Sequence, residues 1–342
     1  MGDNEPAGTI KTVNFALQGG GAHGAFTWGV LDRILEDERI AIEGISATSA
    51  GAMNAAVLAS GLTIGGREGA RQALTNFWRR VAHAASFSPL RPTMFDRLGH
   101  GLDHSPAHLM FDLMSRVLSP YQWNPLNYNP LRPVIEQAVD FDVLRSRSAV
   151  KLFLSATNVR TGKIKVFTGS EITADCVLAS ACLPFLYQAV SVDGEYYWDG
   201  GYMGNPALFP LIYGCDSGDI VVVHINPMER PDVPHSARDI MNRINEISFN
   251  SSLMREMRAV AFVTKLLDDK KLDGGEVKRM LVHAISADDV MQNLGVASKL
   301  NAEWDFLTHL HAIGRERGEA WIAANYASLN VASTIDIRST YL

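Results

Sequence analysis

This 342-residue chain has three cysteines, Cys176, Cys182 and Cys215, and none of them forms a C-x-x-C pair. Neither a disulfide framework nor a cysteine zinc site is expected, and a reducing, cytoplasmic setting fits. Lys and Arg number 31 against 37 Asp and Glu, a formal net charge of −6. Nucleic-acid binders normally carry a basic patch or stripe, so no nucleic-acid partner is expected. No apolar run approaches the roughly 18 residues of a bilayer span. Residues 1–12 lack the basic-then-apolar pattern of a secretory leader, and Pro6 stands where a myristoylation motif needs Ser or Thr. A protein of this kind would meet lipid from the water side, by peripheral contact at most. There is no internal repeat, no low-complexity tract and no DxDxDG calcium loop. His100, His104 and His108 share an i, i+4 spacing, but Gly101 and Pro106 interrupt it. No metal or cofactor is implied, and nothing in the sequence sets an oligomeric state.

What is present is a core-forming composition. Hydrophobic residues make up 47% and charged residues 20%, which suits a packed globular fold and not disorder. Residues 12–17 read as a buried strand, 19–24 as a glycine turn, and 25–36 as a helix with apolar positions at Phe26, Val30, Leu31, Ile34 and Leu35. Residues 45–48 read as a second short strand and 50–60 as a small-residue helix. Strand, turn and helix repeated within about 45 residues predict an α/β fold around a parallel sheet. Further strands are expected at 151–156, 164–167 and 219–225, with an alternating stretch at 191–197 and a last strand near 280–285. Helices are expected at 74–85, 236–267 and 300–329.

Three segments carry candidate chemistry. Gly19-Gly20-Gly21-Ala22-His23-Gly24 follows a strand and opens a helix. Its amides and the helix N-terminus can hold an anion, whether a phosphate or the oxyanion of an attacked carbonyl. The same six residues satisfy GxGxxG, and Glu43 stands where a ribose-binding acid would. Nucleotide binding is therefore an equal reading of this segment alone. Ala47-Thr48-Ser49-Ala50-Gly51 has the form of a nucleophile elbow with Ala47 at the first small position; a serine N-cap on an alanine-rich helix is the competing reading. Trp198-Asp199-Gly200-Gly201 is either a turn or an acid whose glycines let it approach another side chain.

Together, in this order and at these separations, the glycine loop, the serine elbow and Asp-Gly-Gly resemble the patatin-like phospholipase family, in a bacterial branch. The resemblance extends to Ala179-Ser180-Ala181-Cys182-Leu183-Pro184 and Asn205-Pro206, and covers residues 13–226. It implies a three-layer fold with a central, mostly parallel sheet flanked by helices. It also implies a lipid or other acyl ester as substrate and a Ser–Asp dyad without a catalytic histidine. Carried across, Ser49 is the nucleophile and Asp199 its base. Gly19, Gly20, Gly21 and Ala22 form the oxyanion hole, and Ala47, Gly51, Gly200 and Gly201 support the motifs. Two positions depart from the family pattern: Ala47 replaces the elbow's first glycine, and His23 replaces the glycine loop's basic residue. A cation is disfavoured at a helix N-terminus, so His23 is expected to be neutral and structural.

The sequence divides into a polar segment at 1–11, a catalytic domain at 12–226 and a mainly helical extension at 227–342 packed on the core. Residues 65–150, rich in proline and scattered aromatics, read as an insertion over the sheet's carboxyl edge, with a lid as one role. Two other functional readings stay open. Ser49, Asp199 and His224 satisfy the chain order of an α/β-hydrolase triad. A lipid- or nucleotide-binding protein without turnover is the other.

Overall fold

The computed structural model describes residues 9–86, 118–230, 232–272 and 277–342. Strand β1 (Lys11–Leu17) is buried from Val13 onward, on both faces. Such continuous burial belongs to a strand covered by helices above and below. It is flanked by β2 (Ile40–Ala47) and β7 (Asp219–Val223), both parallel to it. Outward from β2 come β3 (Lys151–Asn158), then the antiparallel β6 (Glu195–Asp199) and β5 (Val190–Val192); β4 (Ile164–Thr168) pairs antiparallel with β3, and β8 (Leu281–Ile285) pairs parallel with β7. The eight-stranded sheet runs β5-β6-β3-β2-β1-β7-β8, with β4 off this path on β3.

Alternate residues of the central strands feed two separate cores. Val13, Phe15, Leu17, Val221 and Val223 face one, with α1 (Gly24–Glu36), α2 (Ala50–Ala85), α3 (Leu131–Ala138), α4 (Phe141–Arg147) and α5 (Ala174–Ser180). Ala16, Ile220 and Val222 face the other, with α6 (Phe209–Gly214), α7 (Ala237–Asp268) and α9 (Ile337–Tyr341). Helix α8 (Trp304–Asn325) lies on the first side, against α1. This is a three-layer α/β arrangement with a mixed, mostly parallel sheet, as the sequence implied. Each fully buried Phe or Leu in it contributes about 1.5–3 kcal/mol.

Several boundaries differ from the sequence reading. Strand β2 begins at Ile40, upstream of the short strand expected at 45–48. The alternating stretch at 191–197 is two strands, β5 and β6, turned at Asp193 and Gly194, whose φ values are 51° and 80°. An Asp-Gly pair between alternating runs is the sequence signal for such a hairpin. Helix α2 runs on to Ala85 through a non-helical step at Gly65 and Gly66. Within 65–150, the second half of α2, α3 and α4 pack together in the helical layer. Of the proline-rich stretch 87–133 behind the lid reading, residues 87–117 lie outside the described residues, as do His100, His104 and His108. The C-terminal part supplies sheet as well as helix, because β8 extends the β-sheet and α7, α8 and α9 cover both its faces.

Candidate functional site

Sheet register brings the site together. The last residue of β2, Ala47, pairs with Leu154 of β3, and two residues further along β3, Ala156 pairs with Asp199. Strand β6 therefore continues the line of β2 end to end, and Ser49, two residues past Ala47, meets Asp199. A separation of 150 residues in sequence closes through one strand.

Ser49 occupies the turn between β2 and α2 with φ 57° and ψ −123°. A non-glycine residue in this region costs on the order of 1–3 kcal/mol and persists only where its surroundings over-determine it. Here the Ser49 N–H donates to Ser180 Oγ at 2.9 Å, and the neighbouring Thr48 Oγ1 donates to the Gly204 carbonyl at 2.6 Å. The side chain makes no cap bond to α2, so the N-cap reading of this serine does not describe its contacts. Gly51 is held close under the end of β1: a Cβ there would lie 2.5 Å from the Leu17 carbonyl oxygen. Ala47 is fully buried between Leu17 and Leu154.

Asp199 is fully buried. Its N–H donates to the Cys182 carbonyl at 2.8 Å, and its own carbonyl accepts from Thr157 Oγ1 at 2.8 Å. Oδ1 accepts the Gly201 N–H at 2.8 Å, while Oδ2 has no partner in standard hydrogen-bond geometry. Burial pushes the carboxyl up to about 7, against the lowering influence of the Gly201 amide, the Ser49 hydroxyl and the Lys299 charge. Gly200 and Gly201 pack so closely on Ser155 and Phe249 that a Cβ at either would collide.

The glycine loop lies alongside. Gly19 sits against the serine, a Cβ at 19 falling 2.5 Å from Ser49 Cβ. Its N–H donates to Asn205 Oδ1 at 2.7 Å, and its carbonyl accepts from Asn226 Nδ2 at 2.7 Å. The Gly19 amide is thus already spent, a correction to the expectation that it would help hold an oxyanion. Among the described residues, the amides of Gly20, Gly21 and Ala22 donate to no protein acceptor. Gly21 has φ 60°, and a side chain there would also run into the Lys299 carbonyl. Gln18 anchors the loop's base, its Oε1 accepting from the Ile225 and Asn226 amides at 3.0 Å each.

Two histidines and one acid complete the inventory. His23 Nε2 is 2.7 Å from Ser298 Oγ, and that hydroxyl donates its proton to the Gly295 carbonyl, so the imidazole donates from Nε2. Burial, with Lys299 and Arg230 nearby, pulls His23 down to about 3, leaving it neutral. His224 is buried and contacts Tyr341 Oη at 2.6 Å through Nε2; burial lowers it to about 4. No hydrogen bond joins it to Ser49 or Asp199 among the described residues. Glu43 accepts the Asp216 and Ser217 amides at 2.7 and 2.8 Å and binds Lys151, at the end of the sheet opposite the glycine loop. It cannot reach a ribose bound at that loop. Among the described residues no cluster of His, Cys, Asp and Glu could hold a metal ion, and no helix is long and apolar enough to cross a membrane.

Sequence reasoning missed Ser180, Asn205, Asn226 and Lys299 as parts of this assembly. Ser180 and Asn205 stood in recognisable segments, whereas Asn226 and Lys299 carry no local signal.

No curated protein matches this chain. Among solved structures, VipD from Legionella pneumophila is 15% identical with a TM-score of 0.36, the alignment covering 88% of this chain and 66% of that one. The heterodimeric ExoU–SpcU complex of the Pseudomonas aeruginosa type III secretion system gives 14% identity and a TM-score of 0.37, covering 95% of this chain and 53% of that one. This chain thus spans between half and two thirds of those proteins. The family model for patatin-like phospholipase matches residues 15–212, which include the glycine loop, Ser49 and Asp199, and the chain belongs to the patatin-like phospholipase family.

Proposed function

We propose that this protein is a lipid acyl hydrolase working through a Ser–Asp dyad, with Ser49 as nucleophile and Asp199 as base. The observation that carries the reading is the pairing of Ser49, held in a positive-φ turn, with a fully buried carboxyl poised near pH 7. A carboxylate is ordinarily too weak a base for a serine hydroxyl. Desolvation strengthens it, and a base whose pKa lies near the working pH is the most effective. In the first half-reaction Asp199 accepts the Ser49 proton as Oγ bonds to the ester carbonyl carbon. The free amides of Gly20, Gly21 and Ala22 hold the resulting oxyanion. The alcohol leaves with the proton returned from Asp199, and the acyl group stays on Ser49. In the second half-reaction Asp199 takes a proton from water as hydroxide adds to the acyl carbon, then returns it to Ser49 Oγ, which leaves as the carboxylic acid forms.

The triad alternative is the weaker reading, because His224 Nε2 is engaged by Tyr341. Nucleotide binding is weaker too, since Glu43 serves the far end of the sheet. A lipid substrate brings peripheral contact with a membrane surface into the proposal. The boundaries 12–226 for the catalytic part and 227–342 for a C-terminal extension are likewise proposed.

The test is hydrolysis of p-nitrophenyl esters of rising chain length and of phospholipid vesicles, by wild type and Ser49→Ala. Fluorophosphonate labelling with peptide mapping accompanies it. Turnover lost in Ser49→Ala, with the adduct on the peptide spanning 45–51, is the expected result. An active wild type labelled at another serine would overturn the assignment.

A further inference from the structure

The segment Val296–Leu300 lies in the C-terminal third, outside the part matched by the family model, yet it meets the glycine loop directly at two points and through Asn226 at a third. The Lys299 carbonyl sits where only a glycine at 21 leaves room. Ser298 Oγ takes the His23 Nε2 proton at 2.7 Å. Lys299 Nζ donates to Asn226 Oδ1 at 2.8 Å, and the same Asn226 side chain donates from Nδ2 to the Gly19 carbonyl. Through one amide, the lysine is coupled to the backbone directly beside Ser49.

The charges around Lys299 leave its ammonium free to act on the site. Glu246, the first of the two acids that act on it, is taken up by Arg230 at 2.6 Å and Arg243 at 3.2 Å. Among the described residues Lys299 itself is in no ion pair. The groups that act on it electrostatically are Glu246, Arg230 and Asp199, and burial pushes its own pKa down. Asp199 in turn feels the Ser49 hydroxyl and the Lys299 charge, and the Cys182 thiol and Tyr202 phenol feel its own. Both of those are held well above neutrality by burial, so neither carries charge near pH 7. Lys299 is therefore the cation whose charge acts on Asp199, and its place is set by the bond to Asn226.

We propose that Lys299 is a positioning residue of the Ser49–Asp199 site: its bond to Asn226 fixes the glycine loop for oxyanion binding, and its ammonium favours the ionised form of the buried Asp199. The inference rests on the Ser–Asp reading and adds the C-terminal third to the machinery. An acid buried without a countercharge stays protonated and is no base. A cation at the right distance lowers that barrier without forming a salt bridge that would tie up the carboxylate.

The experiment measures kcat and KM from pH 5 to 9.5 on a p-nitrophenyl ester, with the full chain, for wild type, Lys299→Met and Lys299→Arg. Ser49→Ala and Asp199→Asn run beside them, and melting curves check folding. Wild type should lose activity as pH falls through about 7, where Asp199 protonates. In Lys299→Met the acid limb should move to higher pH, because the charge that favours the carboxylate is gone. A one-unit move makes the loss in kcat about tenfold greater at pH 6 than at pH 9. Lys299→Arg should restore the wild-type limb. If the Met variant does not fold, Lys299→Gln, which keeps an N–H donor toward Asn226, is measured in its place. A folded variant without the charge whose acid limb overlays wild type overturns this inference, provided Asp199→Asn is inactive. Full activity in Asp199→Asn would instead bring down the dyad reading beneath it.

Discussion

Asp199→Asn is expected to raise stability while removing activity, and the rise should depend on pH. The Asp199 carboxyl sits at about 7 in the fold against 3.8 as an unperturbed group. That gap is worth about 4 kcal/mol, at 1.36 kcal/mol per pKa unit. Because the folded pKa is the higher one, the folded chain binds the proton more tightly. This contribution to stability is fully present below about pH 3.8 and is lost as pH rises through about 7. Wild type at pH 8 therefore carries an ionised, buried carboxylate, whereas Asn is neutral throughout. Asn still offers an oxygen to the Gly201 N–H, and its amide takes the place of the unpartnered Oδ2 beside the Ser49 hydroxyl. The native network therefore survives. Asp32, drawn well below the usual carboxylate range by His311, Arg71 and Arg315 despite its burial, makes stability change with pH in the opposite sense. The useful quantity is thus the difference between variant and wild type, in which Asp32 cancels. Calorimetric melting at pH 4 and pH 8 should show little difference at pH 4 and an Asn variant higher by about 5 °C at pH 8. Its kcat should fall by about 10²–10⁴, the usual weight of a general base. An Asn variant that melts below wild type at pH 8, or a difference that ignores pH, would refute the claim that Asp199 is held at an energetic cost for use as a base.

Ala47 is fully buried between β1 and β3, so Ala47→Gly should keep activity within about tenfold, a barrier change near 1.4 kcal/mol. Ala47→Val should overpack the turn, costing on the order of 1–3 kcal/mol of stability; a displacement of Ser49 Oγ near 1 Å would cost about a hundredfold in rate. Melting curves and kinetics on both variants check this, and a folded Val variant with wild-type turnover would sink it. His224→Phe should leave kcat within a few fold and lower stability by about 1–3 kcal/mol through the lost Tyr341 contact. A loss of turnover like that of Ser49→Ala would instead favour the triad.

The local pieces of this protein are legible in short stretches of its sequence. A strand running into glycines and then into an amphipathic helix is written in neighbouring residues, as is the small-residue turn around Ser49. Propensity, periodicity and the need for close backbone approach all act over a few positions. Repetition of those units predicted an α/β fold around a parallel sheet, and the family resemblance implied its three layers. Tertiary structure alone decided which pieces meet. Asp199 reaches Ser49 because β6 runs antiparallel along the upper half of β3, an arrangement set by long-range strand pairing that no nearby residue encodes. The Asp193-Gly194 turn that reverses the chain there lies inside what the sequence read as one alternating stretch. The fate of Gly19's amide depended on Asn205, 186 residues away. The coupling of Lys299 to the glycine loop through Asn226 needed the path from β7 through α7 and β8. Hydrogen bonds and charges of this kind are properties of distance in space, and distance in space is what folding, and not sequence order, supplies.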